Sequence, residues 1–225
     1  MSEFEHGNLT PWGYIADTQT LPDLITTTDF SSFTNNKFGT TDTRIAATIP
    51  SASASIRNYC GWHISPSLDC GMLYNVHDLR DAFVGSDLLI QLPATFVTEI
   101  KKVVLNAKWN AETEDWDGEI IEDSDRFDFG MGDGLLKVYD VGPMDRRAKI
   151  FVKYTAGYDN TAIPLVKEIA CNSVSRALTS SYGVTSETAG GVSISYSSTW
   201  SGRGSGALTD DTRETLGAYK VKGVY

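Results

Sequence analysis

The sequence predicts an α+β protein: mainly a helical bundle of three to four helices, interrupted by a small antiparallel β region and carrying an extended β arm. Three observations lead there. Apolar residues recur at helical spacing in two separated segments, residues 45–59 and 166–178. Between them lie short β-branched and aromatic runs parted by turn signals, with no helical pattern alternating among them, which excludes a parallel sheet. Near the C-terminus, Val192, Ile194 and Tyr196 alternate with serines at the period of a strand.

Residues 1–22 are polar and aromatic-spotted with two prolines, and read as an arm or a poorly ordered terminus. A first half of the bundle is expected over 23–64. In ITTTDFSSFTNNKFG, Thr28 is the expected N-cap, Phe30 and Phe33 the shared face, and Gly39 the stop. Thr41 or Asp42 should cap a second helix whose stripe is Ile45, Ile49, Ala52, Ile56 and Tyr59. Pro50 should kink or split it, and Gly61 should end it. Over 65–158 the runs LLIQL, FVTEIKKVVLN, EIIEDS, LLKVYD and AKIFVKYTAGY read as antiparallel strands, parted by Pro93, Asp117-Gly118, Gly130–Gly134 and Gly142-Pro143.

The second half of the bundle is expected over 159–225. Pro164 suits a first helical turn. Val166, Ile169, Ala170, Val174, Ala177 and Leu178 form the buried stripe, and Gly183 is the expected cap. An exposed arm occupies about 184–206, flanked by serine and glycine. A short helix closes the chain, with Thr209 as cap, Asp210 and Asp211 at its positive end, and Leu216 and Tyr219 on one face.

Composition narrows the function. The 225 residues carry a formal net charge of -10, with 41% hydrophobic and 21% charged residues. That is a globular chain whose surface does not grip DNA, because binding DNA means neutralising phosphates with Lys and Arg. The three cysteines form no disulfide framework. The start, MSEFEHGNLTPWGY, has neither a basic leader nor an apolar run, so a soluble protein made in a cytoplasm, with no membrane partner, is expected.

No chemistry is legible. Cys60, His63, Cys70 and His77 offer four N/S ligands for zinc, but their spacing matches no common finger and Cys60 falls on an apolar helix face, so packing is the reading taken. The acidic run Glu112, Glu114, Asp115, Asp117, Glu119, Glu122, Asp123, Asp125 and Asp128 lacks the glycine of a calcium loop and reads as a solvated surface. Neither GRGSG nor GMGDG continues as a phosphate loop. The only histidines, His6, His63 and His77, sit in no nucleophile motif. No enzyme, cofactor or metal is expected. Trp62 is assigned to the core. Trp200, in the arm, reads either as an interface residue or as an accidental exposure.

Several segments in fixed order carry a resemblance: TTTDFSSF, then SASASIRNYCGWHI, LLIQLPATFVTEIKKV, VKYTAGYD, IPLVKEIACNSVSRAL, SETAGGVSISYS and LTDDTRETLGAYK. Over residues 21–221 this order resembles the head-to-tail adaptor (head-completion, connector) proteins of long-tailed, siphovirus-type phages, particularly phages of actinobacteria. The resemblance implies a non-enzymatic virion protein of the neck. It would form a ring, typically of twelve copies, under the portal protein, with a stopper or tail terminator on its other face. Double-stranded DNA would pass through the hole without sequence-specific binding. Pro50 and the long acidic β region depart from the family pattern. The residues expected at subunit or portal contacts are Val192, Ile194, Tyr196, Trp200, Leu208, Leu216 and Tyr219. The closing segment 208–225 is expected to dock on a partner, so that its loss would leave a folded subunit. The other readings are a stopper or tail terminator, which would have a β-dominated core and no long helix at 163–181, and a β-rich binding module for carbohydrate or calcium.

Overall fold

The computed structural model describes residues 9–18, 20–113, 115–121, 124–179, 186–189, 192–195 and 208–221. Helix and strand contents are roughly equal, with four helices and antiparallel sheets of five and four strands, so the mainly helical expectation is corrected. The chain divides into two compact units. One comprises residues 1–22, 60–162 and 219–225; the other comprises 23–59 and 163–218.

The first unit is built on sheets. Strand β1 (Ile15–Ala16) and β2 (Leu68–Asn75) pair antiparallel. Four strands follow: β3 (Phe83–Val84), β4 (Asp87–Gln91), β5 (Val97–Asn110) and β6 (Asp115–Ile121). Strands β7 (Phe127–Phe129), β8 (Leu135–Val138) and β9 (Lys149–Ala156) complete them. The five-stranded sheet runs β1-β2-β9-β5-β6 and the four-stranded sheet β3-β4-β8-β7. The expected small insertion is therefore two sheets. Strand β2 was missed because LDCGMLYN alternates weakly and looks like loop between two stronger signals.

Register places Cys70, Ile150, Val152, Tyr154, Ile100, Val103, Leu105 and Ile121 on one face of the larger sheet, all buried. In the smaller sheet Leu88, Ile90, Leu136 and Val138 pair across β4 and β8 and are fully buried. The Tyr74 hydroxyl ties the sheets by donating to the Gln91 carbonyl at 3.0 Å. On the other face of the larger sheet, the β5–β6 hairpin supplies its own cover. Asn106 is left-handed (φ 55) and the register shifts between Leu105 and Lys108. Trp116 then stacks on Phe151 at 5.3 Å, with Trp109 edge-on to Trp116 at 5.5 Å. Gly118 permits this close approach, since a Cβ there would lie 2.4 Å from the Leu105 carbonyl oxygen.

Residues 9–18 fall in the segment read as an arm, yet Tyr14 and Ala16 are buried and β1 is an edge of the sheet. The difference has a physical cause. Tyr14 is a large apolar body with one polar tip, and its partner, His63, lies 49 residues away.

The second unit is helical. Helix α1 (Thr27–Phe33) starts at Thr26, not Thr28. Thr26 is extended, its side chain accepts from the Asp29 N–H, and the Asp29 side chain closes a capping box. Asn35 and Asn36, at φ 53 and 59, turn the chain before Gly39 is reached. Phe30 is buried, but Phe33 is 42% exposed, so the expected shared face is not formed. Helix α2 (Thr43–Cys60) runs through Pro50 as one element. Asp42 accepts from the Arg44 N–H at 2.9 Å, and Gly61 (φ 79) follows the last turn. Ile45, Ile49, Ala52 and Ile56 are buried as the stripe requires, and Tyr59 is half-buried.

Helix α3 (Pro164–Thr179) buries Val166, Ile169, Ala170 and Val174, with Ala177 and Leu178 half-buried. It packs on α1, and Lys167 meets Asp29 at 3.4 Å. Gly183 lies outside the described residues. Strands β10 (Ser186–Ala189) and β11 (Val192–Ser195) form a separate antiparallel pair. Helix α4 (Asp210–Leu216) follows an N-cap at Thr209 that is extended but makes no side-chain cap bond. The Tyr59 hydroxyl donates to the Arg213 carbonyl at 2.9 Å and pins this helix.

Candidate functional site

The four residues weighed as zinc ligands do not come together, and each has other contacts. His63 is fully buried. Its Nδ1 lies 2.6 Å from the Tyr14 hydroxyl, its Nε2 lies 3.1 Å from the Ala156 carbonyl, and its backbone N–H donates to the same Tyr14 hydroxyl at 3.0 Å. A neutral ring with the proton on Nε2 satisfies all three contacts at once. Nε2–H donates to Ala156, the Tyr14 O–H donates to Nδ1, and the hydroxyl oxygen accepts from the backbone. Burial pushes the Cys60 thiol up to about 12 and raises Cys70 as well, which keeps both as thiols. His77 is exposed and pairs with Asp78. Among the described residues no three His, Cys, Asp or Glu side chains are grouped to hold a metal.

The acidic run is divided by the fold. Asp115 pairs with Lys102 at 2.7 Å, Asp117 accepts from Asn110, and Glu119 meets Arg126 at 3.0 Å. Glu114, Glu122 and Asp123 lie outside the described residues. Among the described residues these carboxylates are spread along β6 and its neighbours, two of them paired with a cation, and they do not group into a metal site.

Among the expected interface residues, Val192 and Ile194 stand in β11, opposite Ala189 and Glu187. Tyr196 and Trp200 lie outside the described residues. Leu208 and Leu216 are buried in the subunit itself. Tyr219 is half-buried. Its carbonyl accepts from the Trp62 indole N–H at 2.6 Å, and its ring stands edge-on to Tyr158 at 5.7 Å. The Val221 N–H donates to the Cys60 carbonyl at 2.9 Å. The closing segment contributes to the first unit: its main chain hydrogen-bonds to Cys60 and Trp62.

Three of the motifs that carry the resemblance meet at this point. Trp62 ends SIRNYCGW, Tyr158 lies in YTAGYD, and Tyr219 lies in LGAYK. Trp62 and Tyr158 have ring centroids 6.0 Å apart, and Phe96 stacks on Tyr158 at 4.2 Å. These residues build a closure of the fold.

No helix among the described residues is long and apolar enough to cross a membrane. No curated protein matches the chain. Residues 23–202 match the family model of the head completion protein, HCP. That span includes α1 to α3, all strands from β2 onward and the β10–β11 pair, and it excludes α4. The chain therefore belongs to the head completion protein family, structural proteins of the phage head and neck, which implies a non-enzymatic role.

Proposed function

We propose that this chain is the head-to-tail adaptor subunit of a long-tailed phage, assembling into a ring, typically of twelve copies, between the portal and a stopper or tail terminator. The family match over residues 23–202 carries this reading. Two physical features support it. A net charge of -10 suits the wall of a channel through which DNA must slide without sticking. The β10–β11 pair hydrogen-bonds only to itself among the described strands, and a lone two-stranded ribbon is marginal in water. It suits strand addition to a neighbour, where main-chain bonds supply much of the contact and Val192 and Ile194 the side-chain part. Helix α3 favours an adaptor over a stopper or tail terminator, for which no long helix at 163–181 is expected.

The test is negative-stain electron microscopy of the purified chain, alone and mixed with the portal protein of the same phage. Rings with a DNA-sized hole, free or stacked on the portal, are expected. Monomers that ignore the portal would refute the adaptor role.

A further inference from the structure

Seven of the described cations are engaged by described carboxylates. Lys101 meets Asp69, Lys102 meets Asp115, Lys137 meets Asp87, Lys167 meets Asp29, and Arg44, Arg126 and Arg213 each have an acidic partner. The connection from β8 to β9 is different. Arg146, Arg147 and Lys149 are exposed, and their side chains make no hydrogen bond or ion pair with a described residue. The turn is held without them. The Asp145 carboxylate accepts from the Arg147 N–H at 2.7 Å, its carbonyl accepts from the Ala148 N–H at 2.9 Å, and the Val76 N–H donates to the Ala148 carbonyl at 3.0 Å. In a chain with 29 acidic against 19 basic residues, three adjacent cations left without a partner stand out. Beside them is a groove of about 470 Å³ lined by Val76, Phe83, Pro143 and Met144 among others.

We propose that this cationic turn and its groove form the surface on which one copy of the chain receives the next copy in the ring. The inference rests on the adaptor reading. Subunits that each carry a charge of -10 repel one another, so side-by-side association needs a place where the local sign is reversed. A ring interface is heterologous, joining one patch to a different patch of the neighbour. A compact cationic turn facing an otherwise acidic copy meets that need. The groove supplies apolar area that desolvates beside the charges, which favours a protein neighbour over DNA.

The experiment images the full chain with the phage's own portal and scores the fraction of portals bearing a complete ring. Wild type is compared with Arg146→Glu/Arg147→Glu, with Arg146→Lys/Arg147→Lys, and with Lys37→Glu/Lys108→Glu, which shifts net charge equally at other exposed sites. Circular dichroism checks that each variant folds. Ring formation should fall about tenfold or more in the first variant, because opposed like charges cost several kcal/mol. It should persist in the other two. Rings that form equally well in the first variant overturn this proposal and leave the adaptor reading standing. Equal losses in both Glu variants overturn it too, since bulk charge would then be the cause. Unchanged rings with lost retention of a short DNA duplex would place the turn at the channel and also overturn it. If wild type makes no rings, the adaptor reading falls and this inference with it.

Discussion

Replacing Tyr14 by Phe removes one oxygen atom from a segment that composition marks as a tail. In the folded chain that oxygen accepts from the His63 N–H at 3.0 Å and contacts His63 Nδ1 at 2.6 Å, in a site where Tyr14 is 1% and His63 0% exposed. The phenylalanine ring fills the same space, so the packing term is small. What remains is a buried N–H and a buried ring nitrogen without this partner. Each such group costs about 1–3 kcal/mol, so the loss should be about 3 kcal/mol. For a protein of this size, that lowers Tm by about 6–12 °C. Urea unfolding followed by tryptophan fluorescence measures it, with Trp62 reporting from beside His63 at a ring separation of 5.3 Å. His77→Ala, on the exposed surface, is the control. A loss below about 0.5 kcal/mol, the scale of an ordinary surface substitution, would show that residues 9–18 are not built into the sheet and would refute the argument.

Four further outcomes are expected. Thr26→Ala should cost about 1 kcal/mol by opening the capping box of α1, read as a lower urea midpoint at unchanged slope. The same unit should weaken in acid. Burial opposes ionisation of Asp29, but the Thr26 N–H and hydroxyl and Lys167 outweigh it and hold the carboxyl below its usual 3.8. Its contribution is therefore complete above that value and is lost as pH falls through the lower folded pKa, which a pH series of melting curves would show. The buried thiols, with Cys60 raised to about 12 and Cys171 to about 11, should resist a thiol reagent at pH 8 until urea unfolds the chain; rapid labelling of the native protein would contradict their placement. Deleting 208–225 should cost about 2 kcal/mol or more, through loss of the buried Leu216 and of the acceptor for the Trp62 indole, and should shift tryptophan emission to the red.

Local patterns were legible where one element satisfies its own requirements. The stripe Ile45–Ile49–Ala52–Ile56 had to find a core, and it did, with Gly61 turning the chain after it. The strands LLIQL and AKIFVKYTA announced themselves as short runs rich in aliphatic, β-branched and aromatic residues bounded by turn signals. The acidic balance and the lack of a nucleophile motif pointed away from hydrolase and nucleic-acid binding chemistry, because both need particular residues together; the family implies a non-enzymatic role.

Tertiary structure decided the rest. Whether Tyr14 belongs to a tail or to a core depends on His63, and no local window contains both. Strand β2 exists because β1 and β9 offer it hydrogen bonds on its two sides, although its own alternation is weak. Trp116 is buried and Trp109 half-buried because Asn106 and Gly118 bend one hairpin over its own sheet. The closing residues 219–221 are part of the first unit, where the Tyr219 carbonyl accepts from the Trp62 indole N–H and the Val221 N–H donates to the Cys60 carbonyl across a long stretch of sequence. Which cations remain without a carboxylate is likewise a property of the folded chain, because pairing depends on distance in space and the sequence records only distance along the chain.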